Sequence, residues 1–433
     1  MAQFSTEKNR LLGNNNALYE VVMIAGQSGP SVFIPKGNLN ASTDAFGRLR
    51  VSEPHTVFDN SFRYPGGENR WTNKTTGTTT IAHSANQSLM DLTIGAASGD
   101  EIIRETDRTF GYQPGKCLLI MNTMTFAAPK ANLRQRVGYF GKYNGIYVEQ
   151  DGLDKYLVKR SYVTGSIDNT RVPQSQWNVD KLDGTGASGI NLDLSKSQIF
   201  WIDIEWLGTG SVRSGFVING QYIICHIFHH ANDITGTYIT SATLPIRYEI
   251  TNTGATGSSS TLKQICSTVI SEGGYEQVGV TRGASNPVTG KNLANIIDNP
   301  MVSIRLRPGR TDAVVIPKMI TMYGLQNTAY VYKIIRGGTL TNDSWQLTDS
   351  GSAVQFDLSA TAISGGTTVF QAVFSGQETV DPVDMAHHFN HGLQLTRGII
   401  EADSAGDILT IAVVPTTNND DAVVAVTWQE KTQ

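Results

Sequence analysis

The sequence predicts an all-β protein, with an extended N-terminal arm, a jelly-roll-like β-sandwich and a smaller C-terminal β-domain. Three observations carry this. Short apolar runs alternate with period two, Asn-Gly and Asp-Gly turn signals separate them, and no stretch shows the 3.6-residue periodicity of a long helix. Many short strands with a turn every ten or so residues suit sandwiches and jelly rolls. No internal repeat of 20–50 residues marks a propeller or solenoid, and no heptads mark a coiled-coil stalk.

The composition agrees. Charged residues make up 17% of the 433 positions, below the roughly 25% usual in globular chains. Gly, with 43 copies, leads the Gly, Ser, Thr and Asn that take their place. Such a surface suits a protein covered by neighbours in an assembly. The net charge of −4 gives no electrostatic reason to expect nucleic-acid binding. No apolar stretch reaches the ~18 residues of a membrane helix, so membrane insertion is not expected. The N-terminal residues lack the apolar core of a signal peptide, which points to assembly in a cytoplasm. Cys117, Cys225 and Cys266 each sit in an apolar, strand-like run, and buried free thiols are expected.

Length divides the chain into two or three units. Residues 1–44 read as an arm, Asn-rich at LLGNNNALYEVV, with one strand signal at YEVVMIA. Residues 45–285 read as the central sandwich. There QIFWIDIEWL (Gln198–Leu207) alternates Phe200, Ile202, Ile204 and Trp206 with Ile199, Trp201, Asp203 and Glu205, the pattern of a half-buried strand. FVINGQYIICHIF places β-formers on either side of Asn219-Gly220, which predicts a type I′ hairpin. Asn144-Gly145 and Asp151-Gly152 mark further turns. The polar stretch Thr251–Ser260 separates two more strands. Residues 286–433 read as the C-terminal β-domain. A short helix is expected around Leu293–Ile297. VVIPKMITMYG, YVYKIIRGG and TTVFQAVFSG follow as strands, and LTIAVVP and AVVAVTW read as a terminal hairpin across Thr416–Asp421.

The chemistry-bearing residues form four groups. His226, His229 and His230 lie in CHIFHHAND. On a strand His226 and His230 share a face, and a zinc site could take both with a distant carboxylate; with no further ligand identified, no metal is assigned. His387, His388 and His391 lie in DMAHHFNHG. His387 and His391 have the i, i+4 spacing of a zinc-protease helix, but His388 stands where the general-base Glu belongs, so that mechanism fails. Asp203 and Glu205 are two carboxylates on one strand face. A glycosidase needs such a pair ~5–9 Å apart across a sugar, normally from facing elements; here they read as a solvated or subunit-facing polar stripe. Trp71 and Trp345 offer rings that stack on sugars, or serve as core. There is no G-x-S-x-G elbow and no phosphate-binding P-loop. The expectation is that the chain is not an enzyme and carries no cofactor.

Three sets of segments resemble a family. DAFGRLRVSEPHTVFDNSFRY (Asp44–Tyr64) resembles an N-terminal signature of virion structural proteins of tailed phages. RVGYFGKYNGIYVEQDG (Arg136–Gly152) is similar to a second shared segment. Gly210–Asn232, Leu244–Asn252 and Ser267–Tyr275 form the third set. The resemblance runs over about residues 44–275 in the same order. It implies a structural component of the virion, in tail, neck or baseplate, working by contacts with other virion proteins and as a homo-oligomer, a trimer or hexamer. The alternatives are a capsid decoration protein, or a peripheral receptor- or carbohydrate-binding virion protein that takes a host surface glycan. A capsular depolymerase is a third class. In FGRLRVSEP, Arg48 and Arg50 share a strand face that Pro54 would end, and with Arg213 they are candidates for subunit-interface ion pairs. An inward Arg213 or Arg247, paired with Asp203 or Glu249, would be structural.

Overall fold

The computed structural model describes residues 10–12, 18–20, 34–35, 45, 53–65, 70–275, 278–377, 383–385, 393–398, 400 and 405–431. Among these the chain is almost entirely antiparallel β-structure around two hydrophobic cores, as the alternation predicts. No helix among the described residues is long and apolar enough to cross a membrane. In the arm, Arg10–Leu12, Leu18–Glu20 and Ile34–Pro35 form a small three-stranded sheet. Arg48, Arg50, His387, His388 and His391 lie outside the described residues.

The first core lies between two large sheets. One has eight strands: Gln221–Phe228, Val212–Ile218, Gln198–Ile204, Leu118–Thr125, Ser260–Glu272, Leu89–Ile94 and Thr79–Ser84 in spatial order, with Pro54–Ser61 also paired to Ser260–Glu272. The other has seven: Asp168–Pro173, Asp154–Ser161, Gly145–Asp151, Leu133–Phe140, Ile246–Asn252, Glu101–Thr106 and Trp71–Thr76. Alternate residues point inward, so Phe200, Ile202, Ile204 and Phe216 from one sheet share a core with Val137, Tyr139, Val148 and Tyr248 from the other. Burying a side chain of this size contributes about 1.5–3 kcal/mol. Trp71 belongs to this core, edge-on to Phe58 and Tyr248, which removes it as a sugar platform.

Turn chemistry sets the registers. Ile218 faces Gln221, and Asn219 and Gly220 between them have φ of +53° and +74°. This is the type I′ turn that Asn-Gly accepts without steric cost. Asp151 faces Asp154 across the two-residue turn Gly152-Leu153. Pro54 opens the strand Pro54–Ser61, a position where its missing N–H is tolerated; the strand it was expected to end lies outside the described residues.

The second core lies between a five-stranded and a six-stranded sheet, with Trp428, Val424 and Ile320 meeting Ile411, Ile334 and Tyr330. Two expectations fail here. The helix around Leu293–Ile297 is absent. Lys291–Leu293 pairs as a strand with the C-terminal strand, and the chain then turns through Ile296 at φ +62°. Asn299 stabilises that turn by accepting the Ala294 N–H (3.0 Å) and donating to the Ala294 and Ile297 carbonyls, and a helix would have consumed those backbone groups. The terminal hairpin is also absent: Leu409–Pro415 lies in the six-stranded sheet and Asp420–Lys431 in the five-stranded one. Both are apolar on their inner faces, so crossing between layers buries each on the core.

Candidate functional site

The outer face of the eight-stranded sheet gathers the residues of interest. Strand alternation that sends Phe200, Ile202 and Ile204 into the core sends Ile199, Trp201 and Asp203 outward. Register then places Thr123 beside Ile199 and Cys266, Met121 beside Trp201 and Thr268, Thr268 beside Asp59, and Cys266 beside Ser61. All of these but Trp201 line an open depression of about 310 Å³. Asp59 and Ser61 are exposed, and Thr123, Met121, Ile199 and Cys266 are half-buried. Tyr222, half-buried at one side, donates its hydroxyl to Met121 Sδ (3.5 Å) and meets Trp201 edge-on with centroids 5.7 Å apart. The surface therefore combines a carboxylate and the hydroxyls of Ser61, Thr123 and Thr268 with an apolar floor and an aromatic flank.

One end of the same face is closed. Asp203 and Arg213 are register partners, and Arg213 donates to Asp203 from Nη2 and, at 3.1 Å, from Nε. The Cys117 thiol donates to the other Asp203 oxygen. Asp203 and Glu205 are both fully buried, so the expected solvated stripe is corrected. Glu205 lies close enough to Tyr112 to act on it: burial first, then the Glu205 charge, pushes the phenol up to about 12. The strand is buried on both faces here because its outer carboxylate, Asp203, is covered and paired.

The outer face of the seven-stranded sheet carries a second charged system, which spacing alone did not reveal. Arg171 bonds Asp151 (2.7 Å) and Glu149 (2.6 Å); Arg136 bonds Glu149 (2.5 Å) and Glu249 (2.9 Å). Arg247 bonds Glu249 (3.0 Å) and lies 3.6 Å from Glu105, which Arg397 of the second core also reaches at 2.8 Å. Charges alternate in sign along the whole row. Burial alone would raise the Glu249 carboxyl, but Arg136, Arg247 and Arg134 hold it down at about 2. Arg336 pairs with Asp107 nearby, so two ion pairs join the cores. Arg213 and Arg247 lie on the outer faces of their sheets and are buried in ion pairs with Asp203 and Glu249.

His226 and His230 serve as packing and hydrogen-bonding groups. His226 Nδ1 accepts the Asn178 N–H (3.3 Å), and its ring meets Phe228 edge-on. His230 stacks on Tyr238 with centroids 3.8 Å apart and bonds the Gly210 carbonyl (2.7 Å). Burial first, with nearby His229, lowers both to about 4, and Lys159 adds to the effect on His230. No group of three metal-ligating side chains occurs among the described residues. Trp345 is half-buried, with the Arg305 guanidinium 3.9 Å over its ring.

No family model and no curated protein matches the chain. Solved structures do, at low identity and over about half its length. A family 16 glycoside hydrolase from the mixed-linkage glucan locus of Bacteroides ovatus is 11% identical, with TM-score 0.34, covering 49% of this chain and 99% of that one. The CBM2 module of the evolved Dit of Lactobacillus casei BL23 phage J-1 is 8% identical, with TM-score 0.35, covering 52% and 99%. A legume lectin-like domain from Entamoeba histolytica is 11% identical, with TM-score 0.30, covering 48% and 95%. The class is an all-β jelly-roll-like sandwich. The expectation that the chain is not an enzyme is corrected: endo-glucanases and other glycoside hydrolases are among the similar structures, so this fold gives no ground for excluding catalysis.

Proposed function

We propose that the chain is a structural component of a tailed-phage particle that presents its first sandwich at the periphery as a carbohydrate-binding module. The observation that carries the glycan part is the open depression on the eight-stranded sheet. A pyranose offers alternating hydroxyl edges and an apolar C–H face. Asp59, Ser61 and Thr123 supply hydrogen-bonding partners, and Met121, Ile199 and Tyr222 supply apolar and aromatic surface, the mixture that small-ligand sites use. The particle part rests on the segment resemblance over residues 44–275 and on the low charge content. Binding of the full chain to a glycan array and to purified host surface polysaccharide tests the reading. Saturable binding, weakened about tenfold (about 1.4 kcal/mol) by Asp59→Ala or Tyr222→Ala, supports it. No saturable binding, or binding that both variants leave unchanged, overturns it.

A further inference from the structure

Trp345 is an indole that the fold holds still at the surface of the second sandwich. Register across three strands of the six-stranded sheet puts Arg305, Gln355 and Leu347 in one row. Ile304, next to Arg305, faces the core, so that row lies on the outer face. Trp345, two residues before Leu347, falls on the same side by alternation. Its ring lies against the Arg305 guanidinium, whose Cζ is 3.9 Å from the ring centroid. Arg305 is itself fixed, because its Nε donates to Gln355 Oε1 (3.1 Å). Trp345 Nε1 donates to the Asp343 carboxylate. The Asp357 carboxylate accepts the Ser344 N–H (2.7 Å) and fixes the residue just before the indole. Trp345 belongs to neither hydrophobic core, and its neighbours in sequence from 341 to 349 are all exposed. Arg305 thus occupies one ring face and Asp343 the polar edge.

We propose that Trp345 is the platform of a second carbohydrate site, which stacks one pyranose ring of a polysaccharide on the indole face turned away from Arg305. The C–H face of a pyranose is flat, apolar and of a size with the indole, and tryptophan offers such a face beside a polar edge. Leu347, 41% exposed on the same row, extends the apolar surface. The exposed Asp343 carboxylate and the half-buried Gln355 amide flank the ring and suit sugar hydroxyls. Fixing the indole before the sugar arrives lowers the ordering cost of binding, and Arg305, Asp343 and Asp357 together do this. A nucleobase could stack on the same face, but a carboxylate beside the ring and a net charge of −4 repel a phosphate backbone. The inference extends the glycan reading to the second core and does not need the depression on the first.

Binding of the full chain to a glycan array and to purified host surface polysaccharide, compared for the wild type, Trp345→Ala, Trp345→Phe and Asp59→Ala, tests it. Trp345→Ala is expected to weaken binding about tenfold, and Trp345→Phe, which keeps a ring, clearly less. Acrylamide quenching of tryptophan fluorescence reads the site directly. The quenchable signal that Trp345→Phe removes should be shielded in the wild type by the tightest-binding oligosaccharide of the array, and equally in Asp59→Ala. No saturable glycan binding by the wild type overturns the proposal. So does binding that Trp345→Ala leaves unchanged, or a Trp345 signal that stays open to acrylamide under saturating oligosaccharide. Shielding by a single-stranded oligonucleotide in place of the sugar also overturns it. Binding lost in Asp59→Ala but intact in Trp345→Ala leaves the depression as the glycan site and removes this one; the reverse pattern removes the depression and keeps Trp345.

Discussion

Arg213 and Asp203 face each other on neighbouring strands of the eight-stranded sheet, and the guanidinium donates to the carboxylate from two nitrogens in a site from which water is excluded. A buried ion pair of this kind adds little against an apolar pair of the same shape, yet breaking it strands a charge. Asp203→Ala is expected to destabilise the fold by about 3–5 kcal/mol. Asp203→Leu combined with Arg213→Met is expected to cost clearly less than Asp203→Ala alone. Urea denaturation midpoints of the three chains check this ordering.

Acid should unfold the protein in two stages. His226 and His230 are held near 4 in the folded state by burial, against about 6.5 in an unfolded chain. The unfolded state then binds more protons between these values, so their contribution is complete above pH 6.5 and is lost as pH falls toward 4. After allowance for solvent screening it amounts to about 2 kcal/mol for the pair. Glu249, near 2 when folded, contributes stability that is present above its unfolded pKa of about 4.3 and is lost as pH falls through 2. Denaturation midpoints measured from pH 7 to pH 2 should show both slopes, and the double variant His226→Gln, His230→Gln should flatten only the first.

The ion pairs Arg397–Glu105 and Arg336–Asp107 tie the two cores together. Calorimetry of the wild type is expected to show one cooperative transition. With Arg336→Met and Arg397→Met it should split into two, because each core retains its own buried apolar cluster and can unfold by itself.

Gly215 faces Ile224 beside the bulge that leaves Cys225 unpaired, and a Cβ there would fall 1.9 Å from the Ile223 carbonyl oxygen. Gly215→Ala is expected to cost about 1–3 kcal/mol through the backbone shift it forces, read as a lowered urea midpoint. Gly220→Ala, with open space around the Cβ but φ of +74°, should cost less, about 1–2 kcal/mol from the left-handed conformation alone.

Local chemistry was legible in the sequence wherever the physics is local. Alternation identified Gln198–Ile204 as a strand, and Asn219-Gly220 identified the hairpin of Val212–Ile218 and Gln221–Phe228, because side-chain period and positive φ are set within a few residues. The helix expected around Leu293–Ile297 failed because the side chain of Asn299 and pairing with the C-terminal strand outweigh local preference. The terminal hairpin failed because a polar turn says that the chain reverses or crosses, not which layer receives it.

By itself, then, the sequence determined that this protein is β-structured, where most strands and turns fall, and that Asp203 and Glu205 share a strand side. Only the tertiary structure decided what those positions mean. Asp203 reads as a solvated residue until Arg213 and Cys117 close over it. Thr123, Asp59 and Ser61, up to 64 positions apart, become one surface only through register. Burial and charge pairing are properties of which strands become neighbours, and that depends on long-range packing of two sheets rather than on any local signal.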